Sequence, residues 1–488
     1  MSRSSALQGR EAVTRDRQPW AATQMPEGAT PLPVITATAA ADPSTQAATE
    51  RMVALDRNWN GPGWSEEMAA LRDKGAAIRR ETLQDLPGYL DQLQGSVERA
   101  GGQVHRAATP EDAREAIGAI VQQHAAEMIV KSKSMVAEEI HLGPHLESLG
   151  VDVVETDLGE YIVQLGDERP SHIIAPAVHL SQDQIHERFS AVAGEQLPNT
   201  ESDLAGFARR RLRDDFRNAD IGITGVNFAA ADTGTLALMT NEGNGRMVTS
   251  QPRVHIAVMT VEKVIPRLAD LGTLFPLLVH AATKQKMSVY QTLVTGPRRE
   301  DELDGPDELH LVIVDNGRLN LPGTKYEEIL ACIRCGACQV ACPVYRTVGG
   351  HAYAATYGGP IGAVLSPLLD ERPEHAELPY LSSLCGKCGD VCPAKIPLPD
   401  MLVDLRADHQ ARQESSGVEG RGWRLWSALW SHPRLYRLTT LAASLGQFIP
   451  DPVARRLPGA SGWAAGRDLP AMERAGMFRR WLRRRERS

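Results

Sequence analysis

Cys332-Ile-Arg-Cys335-Gly-Ala-Cys338-Gln-Val-Ala-Cys342-Pro343 sets the architecture of its part of the chain. Ser382-Ser-Leu-Cys385-Gly-Lys-Cys388-Gly-Asp-Val-Cys392-Pro393 repeats the frame. The first run reads C-x2-C-x2-C-x3-C-P, and the second differs only in carrying Ser382 where the first cysteine would stand. All seven cysteines of the chain lie in these runs. Three thiolates at two-residue gaps wrap a loop around one corner of an iron–sulfur cubane, each reaching a different iron. Gly336, Gly386 and Gly389 let the backbone approach closely, so that its N–H groups can bond the sulfurs and offset the cluster's negative charge. The cysteine before each proline lies beyond a turn, and in two-cluster ferredoxins it ligates the other cluster. On that pattern Cys332, Cys335, Cys338 and Cys392 hold a 4Fe-4S cluster, and Cys342, Cys385 and Cys388 hold a second.

Zinc also takes cysteines in pairs at two-residue spacing. It explains the x3-C-P endings poorly, and seven ligands do not divide into two four-cysteine sites. Ser382 leaves the second cluster's chemistry open. It is a 3Fe-4S cluster, a 4Fe-4S cluster with Ser382 or a partner's group on the fourth iron, or one with an open iron. Electron transfer is the commoner role of such clusters. The segment between the runs, with helix-like AVLSPLL and a helix expected around Leu378, is longer than the linker of small ferredoxins.

Outward from the cysteines the character changes. Between Gln103 and about Val294, and again at His310, helical patterns alternate with β-rich runs. MIVK (128–131), VDVVET (151–156), YIVQL (161–165), HIIAP (172–176), IGITGV (221–226), TLALMT (235–240), HIAVMT (255–260) and HLVIVD (310–315) read as strands. EDAREAIGAIVQQHAAE and DLAGFARRRLRDDFRNA read as helices, as does the stretch containing Leu83, Leu86, Leu90 and Leu93. That alternation predicts an α/β domain with a largely parallel sheet.

The division expected is a disordered leader over 1–48, an α/β domain with N-terminal helices over 49–324, a two-cluster module over 325–408 and a basic extension over 409–488. The 53 Lys+Arg against 61 Asp+Glu exclude the strongly basic balance of a nucleic-acid binder. From Asp404 onward there are 16 Arg, no Lys and 8 Asp+Glu, a local net charge of +8 within an overall −8. No run of about 18 apolar residues suggests a transmembrane helix. The leader lacks the apolar stretch of a secretory signal, so a cytoplasmic location is expected, where thiols stay reduced and clustered cysteines bind metal.

The region between the runs resembles the α-helical ferredoxin domain of succinate dehydrogenase and glycolate oxidase iron–sulfur subunits. The chain from roughly Arg51 to Arg437 resembles the lactate utilization protein B family. The resemblance is carried by KSKSMVAEEI (131–140), ETDLGEYIVQL (155–165), PSHIIAPAVH (170–179), GITGVNFAAADTGTLALMTNEGNGR (222–246) and the two cysteine runs. A three-cysteine second run belongs to that family's pattern. The resemblance implies an LUD domain of ribose-5-phosphate isomerase/CoA-transferase type. It further implies an electron-carrying subunit of a three-protein complex that oxidises L-lactate to pyruvate. Its partners would be a Cys-rich glycolate-oxidase-like subunit and a second LUD protein.

Within the LUD region, Asp232-Thr233-Gly-Thr235 and Asn241-Glu242-Gly-Asn-Gly flank TLALMT as polar turns. With Lys131, Lys133, Glu155 and Asp157 they form a candidate anion pocket. The alternatives are ordinary turns and a surface ion-pair group. No G-x-G-x-x-G follows a strand, so no nicotinamide or flavin site is visible. Trp423, Trp426 and Trp430 at helical spacing, with Arg421, Arg424, Arg434 and Arg437, describe a basic amphipathic helix. Such a helix lies on an anionic membrane or docks on protein. Three functions stand: electron carrier, an LUD domain itself catalytic on a 2-hydroxy acid or other small anion, and a cluster-bearing scaffold or redox sensor.

Overall fold

A computed structural model describes residues 30–57, 64–370, 372–412, 418–443, 481 and 484–485. They fall into two compact units, divided between Arg412 and Gln413.

The first unit is built on ten strands: β1 (Gln103–Ala107), β2 (Met128–Lys131), β3 (Asp152–Glu155), β4 (Ile221–Gly225), β5 (Phe228–Ala230), β6 (Thr235–Thr240), β7 (Val254–Thr260), β8 (Val264–Ile265), β9 (Tyr290–Val294) and β10 (Glu308–Val314). Six form a wholly parallel sheet in the order β1-β10-β7-β4-β2-β3. Its central strand β7 is buried along its whole length. A strand covered on both faces reads as a continuous apolar run, which is why HIAVMT is legible without alternation. The second sheet, β8-β5-β6-β9, is mixed, with β6 antiparallel to both its neighbours.

Two expected strands are not strands. YIVQL lies in the helix Leu158–Gln164, whose first turn is capped by Asp157 accepting from the Glu160 N–H at 3.1 Å. That cap commits the segment to a helix despite its β-like composition. HIIAP is a turn. His172 Nδ1 accepts from the N–H groups of Ile174 and Ala175, both at 3.1 Å, and Pro176 has none to give, so the segment lacks the donors a ladder needs. The strands β1, β5, β8 and β9 are short or lie at sheet edges, and composition did not reveal them.

The expected leader is also partly ordered. Residues 1–29 lie outside the described residues, but Leu32–Ala41 and Pro43–Arg57 are helices. Leu32 is buried in the main core and Gln46 Nε2 donates to Thr347 O at 3.1 Å, so tertiary contact holds a stretch whose composition suggests disorder.

Gly222 lets the helix Asn244–Ser250 lie directly on β4. A Cβ there would come within 2.1 Å of Val248 O, a backbone atom that cannot swing away. Gly222→Ala is expected to destabilise the protein by about 1–3 kcal/mol, read as a lowered denaturant midpoint at unchanged m-value. An unchanged midpoint would contradict this close packing.

Around the cysteines, the short helices Ala337–Ala341 and Lys387–Val391 pack together over the buried helix Gly359–Leu369 and the helix Leu398–Arg412. The expected boundary at 324/325 lies inside one compact unit, and a single core runs across it. That core joins Leu90, Met259 and Leu311 to Ile361, Leu365 and Leu402. Buried arginines tie the two parts. Arg79 donates to Ala331 O, Leu330 O, Val264 O and Glu262 O. Arg318, fully buried, pairs with Glu139 at 2.6 Å and Glu262 at 3.1 Å, and Glu262 in turn accepts from Arg334 at 2.9 Å.

In the second unit, Val418–Ser431 and Pro433–Ala443 are helices. Trp423, Trp426 and Trp430 lie along the first of these at 4.9–5.7 Å between rings, all substantially exposed. No helix among the described residues is long and apolar enough to cross a membrane.

Candidate metal centre and adjoining cavity

The fold brings the cysteines together in two groups that cross the sequence runs. Cys332, Cys335 and Cys338 line one small cavity with Cys392 from the second run. Cys342 from the first run lines another with Cys385, Cys388 and Ser382. No cysteine is in a disulfide.

The two loops share one backbone conformation. Arg334 (φ 59°) and Gly336 (φ 74°) are left-handed in the first, and Leu384 (φ 54°) and Gly386 (φ 83°) at the matching places in the second. The Arg334 N–H donates to Cys332 Sγ at 3.4 Å, and the Leu384 N–H donates to Ser382 Oγ at 3.1 Å. Ser382 therefore keeps the place and the local bond of the missing cysteine.

Backbone N–H groups are turned onto the sulfurs. Cys335 accepts from Ala337, Cys338 from Ile361, Cys342 from Val344 and Tyr345, Cys385 from Lys387, and Cys392 from Ile396 and Ala394. Burial, reinforced by the neighbouring thiols, raises Cys335 and Cys338 well above an ordinary thiol. Burial pushes Cys392 up to about 11, and burial with Cys342 does the same for Cys388. Grouped thiols, five of the seven buried, Cys332 half-buried and Cys385 exposed, with N–H donors already aimed at their sulfurs suit a positively charged metal core that deprotonates them on binding. The residues present fit iron–sulfur clusters.

Beside the first group lies a cavity of about 260 Å³ at the carboxyl ends of β2, β4 and β7. Parallel sheets bind ligands at this end, because the loops that follow the strands converge there. Lys133 and Ser134 follow β2, Asp157 follows β3, Val226 and Asn227 follow β4, and Lys263 follows β7. Arg334 and Ile173 line both this cavity and the first cysteine group, so a single layer of side chains separates the two.

The expected anion pocket is split by the structure. Lys133, Asp157, Asn241 and Glu242 line the cavity. Lys131 and Glu155 do not. They form a buried ion pair behind it, with Glu138 3.4 Å from the same ammonium. Asp232, Thr233 and Thr235 sit at the opposite end of β6, about 20 Å away for a strand of that length. There Asp232 accepts from the Leu268 N–H at 2.9 Å, and Thr233, Thr235 and Thr295 form a hydroxyl chain with 2.8 Å links. Those three residues are turn architecture.

Sequence reading missed Lys263 and Arg334. Arg334 was hidden as a spacer inside C-x2-C. Lys263 was signalled only by its place just after a parallel strand. The Arg334 guanidinium lies over the Tyr357 ring at 4.6 Å. Burial would raise Glu262, but Arg318 and Arg334 hold its carboxyl down at about 2. Burial, with Arg334 nearby, pushes the Lys263 ammonium down to about 8. Glu242 hydrogen-bonds Asp157, and burial together with that second carboxyl pushes it up to about 7. His172, beside the Gly336 loop, is held neutral by burial at about 3, with Lys133 adding to the effect.

Residues 90–314 match the model of the LUD domain, and residues 328–396 that of a 4Fe-4S dicluster domain. Residues 408–487 match that of the lactate utilisation protein B C-terminal region. Lactate utilization protein B of Oceanobacillus iheyensis is 47% identical over 414 residues, covering 84% of this chain and 86% of its own. The protein of the same name from Shouchella clausii is 46% identical over 413 residues, covering 84% and 87%.

Proposed function

The chain belongs to the lactate utilization protein B family, and from that premise we propose that it is the iron–sulfur electron-transfer subunit of a complex oxidising L-lactate to pyruvate. The observation that carries the reading is the pair of crossed cysteine groups, each lined with N–H donors aimed at sulfur. In this reading Cys332, Cys335, Cys338 and Cys392 hold a 4Fe-4S cluster. Cys342, Cys385 and Cys388 hold a second, with Ser382 at the fourth place. When bound, the clusters supply one-electron transfer. The protein's part is to bury them, to donate N–H bonds to their sulfurs and, through Arg334, to set a fixed positive charge beside the first. Residues 49–324 act as the LUD part, with the sheet of a ribose-5-phosphate isomerase/CoA-transferase fold, and 325–408 as an α-helical ferredoxin part. A Cys-rich subunit and a second LUD protein complete the complex in the cytoplasm, where the Trp- and Arg-bearing helices Val418–Ser431 and Pro433–Ala443 serve docking.

The test is anaerobic purification with iron and sulfide counts and EPR, before and after adding lactate with the partner proteins. Iron and acid-labile sulfide with lactate-dependent reduction are expected. One zinc per cysteine group and no sulfide would end the reading, and clusters that never reduce in turnover would leave only a scaffold or sensor.

Ser382→Cys offers the second group a fourth thiolate on an unchanged loop. Its expected result is an altered EPR signature for the second cluster with the first unchanged. An identical spectrum would mean that position 382 does not face the metal.

A further inference from the structure

The cavity beside the first cysteine group is lined by three cationic side chains, two of which carry donors that its walls do not use. Lys133 Nζ and Arg334 Nη1 are buried without a hydrogen-bond partner. Lys263, 6% exposed, forms no ion pair among the described residues. All three line the one cavity. Burying N–H donors without an acceptor is costly, so a fold that turns two such donors and the Lys263 ammonium into one cavity at the ligand-binding end of a parallel sheet has an acceptor to receive. The carboxylates nearby offset charge but leave Lys133 Nζ and Arg334 Nη1 without a hydrogen bond. Glu262 is already shared between Arg318 and Arg334, Glu160 stands 3.9 Å from Lys133, and Asp157 and Glu242 hydrogen-bond each other. Arg334 and Lys263 also feel the thiol of Cys332, whereas the acidic neighbours of Lys133 are Glu160, Asp157 and Glu242. Ile173, Val226, Leu238 and Leu278 give part of the remaining wall an apolar face, and Asn227, Thr240 and Asn244 are among its polar members.

We propose that this cavity binds a 2-hydroxy- or 2-oxo-carboxylate, its carboxylate between Lys263 and Arg334 and its 2-oxygen toward Lys133. The choice of acid rests on the lactate reading above; the anion site itself rests on the cavity. A ligand held there touches the side chain that also bounds the first cysteine group, so its negative charge acts on the metal centre through Arg334.

The experiment uses the full chain, prepared anaerobically with its iron and sulfide counted, titrated by calorimetry with L-lactate, pyruvate and propionate. Saturable binding of lactate or pyruvate at one site per chain is expected, with propionate, which lacks the 2-oxygen, at least about tenfold weaker. Lys263→Met and Lys133→Met should each weaken binding about tenfold or more at unchanged iron content, while Lys263→Arg retains it. No saturable binding to fully loaded protein, or unchanged affinity in the Lys133→Met/Lys263→Met double variant, would overturn the site. Iron, sulfide and reducibility by dithionite are read on the same samples, so a failed electron-carrier reading shows itself separately from a failed anion site. Thermal midpoints of each variant identify any that fail to fold.

Discussion

Cys392→Ala is expected to remove the same cluster as Cys338→Ala, although 54 positions separate the two cysteines in the sequence. Each variant should lose about half of the protein's iron and sulfide and one of two EPR signatures, and the signature lost should be the same. Cys342→Ala should instead remove the signature that Cys388→Ala removes. The reason is the crossing at the two x3-C-P turns. There Cys392 lines the cavity of Cys332, Cys335 and Cys338, while Cys342 lines that of Cys385 and Cys388. Neither loop can complete a four-iron site from its own run. If Cys392→Ala and Cys388→Ala removed one signature in common, each run would be holding its own metal and the crossed assignment would fail. Loss of one cluster opens the core next to the other, because Cys338, Cys342, Cys388 and Cys392 all belong to it. The variants should therefore be compared soon after anaerobic isolation.

The second large effect lies away from the cysteines. Arg318→Met should lower stability by about 3–5 kcal/mol, the usual cost of breaking a buried ion pair from one side. Arg318 is fully buried and serves two carboxylates, Glu139 at 2.6 Å and Glu262 at 3.1 Å. Glu139 would retain the Asn316 amide at 2.6 Å and the Tyr357 hydroxyl at 2.6 Å, and Glu262 would retain Arg334. Those bonds ease the loss but leave one uncompensated charge. Arg318→Lys keeps the charge without the two-sided fork, so its loss should be smaller. Chemical denaturation followed by circular dichroism reads both. A loss below about 1 kcal/mol for the methionine variant would mean that water reaches the network and the arginine is not the tie between the sheet and the cysteine module.

How much of this was legible in the chain follows from the range of each interaction. The two cysteine runs announce themselves because ligand spacing is a local property. A loop that wraps a metal needs its thiolates within a few residues and glycine where φ is positive, as at Gly336 and Gly386. The central strands were equally readable, since β4, β7 and β10 are covered on both faces and are largely apolar, with Thr224, His255 and His310 among their few buried polar residues. YIVQL misled because its composition favours β while one side chain, Asp157, starts a helix in front of it. The helices between Leu32 and Arg57 misled in the opposite sense, since their order comes from a distant surface near Thr347.

The candidate anion site divides along the same line. Lys133, Asp157, Asn241 and Glu242 were found because they sit in polar turns beside recognisable strands. Asp232 and Thr235 were grouped with them only because β6 joins the two turns in sequence, and a strand holds its two ends apart. By itself the sequence determined the metal chemistry, the parallel α/β class and the family, all of which rest on spacing, composition and motif. Only the tertiary structure decided that a spacer residue of the first cysteine run, Arg334, faces the carboxyl ends of the sheet strands. That meeting depends on how the cysteine module packs against the sheet, through Arg79, Arg318 and a shared core whose partners lie scores of residues apart. Contacts between residues so far apart leave no periodicity or spacing to read.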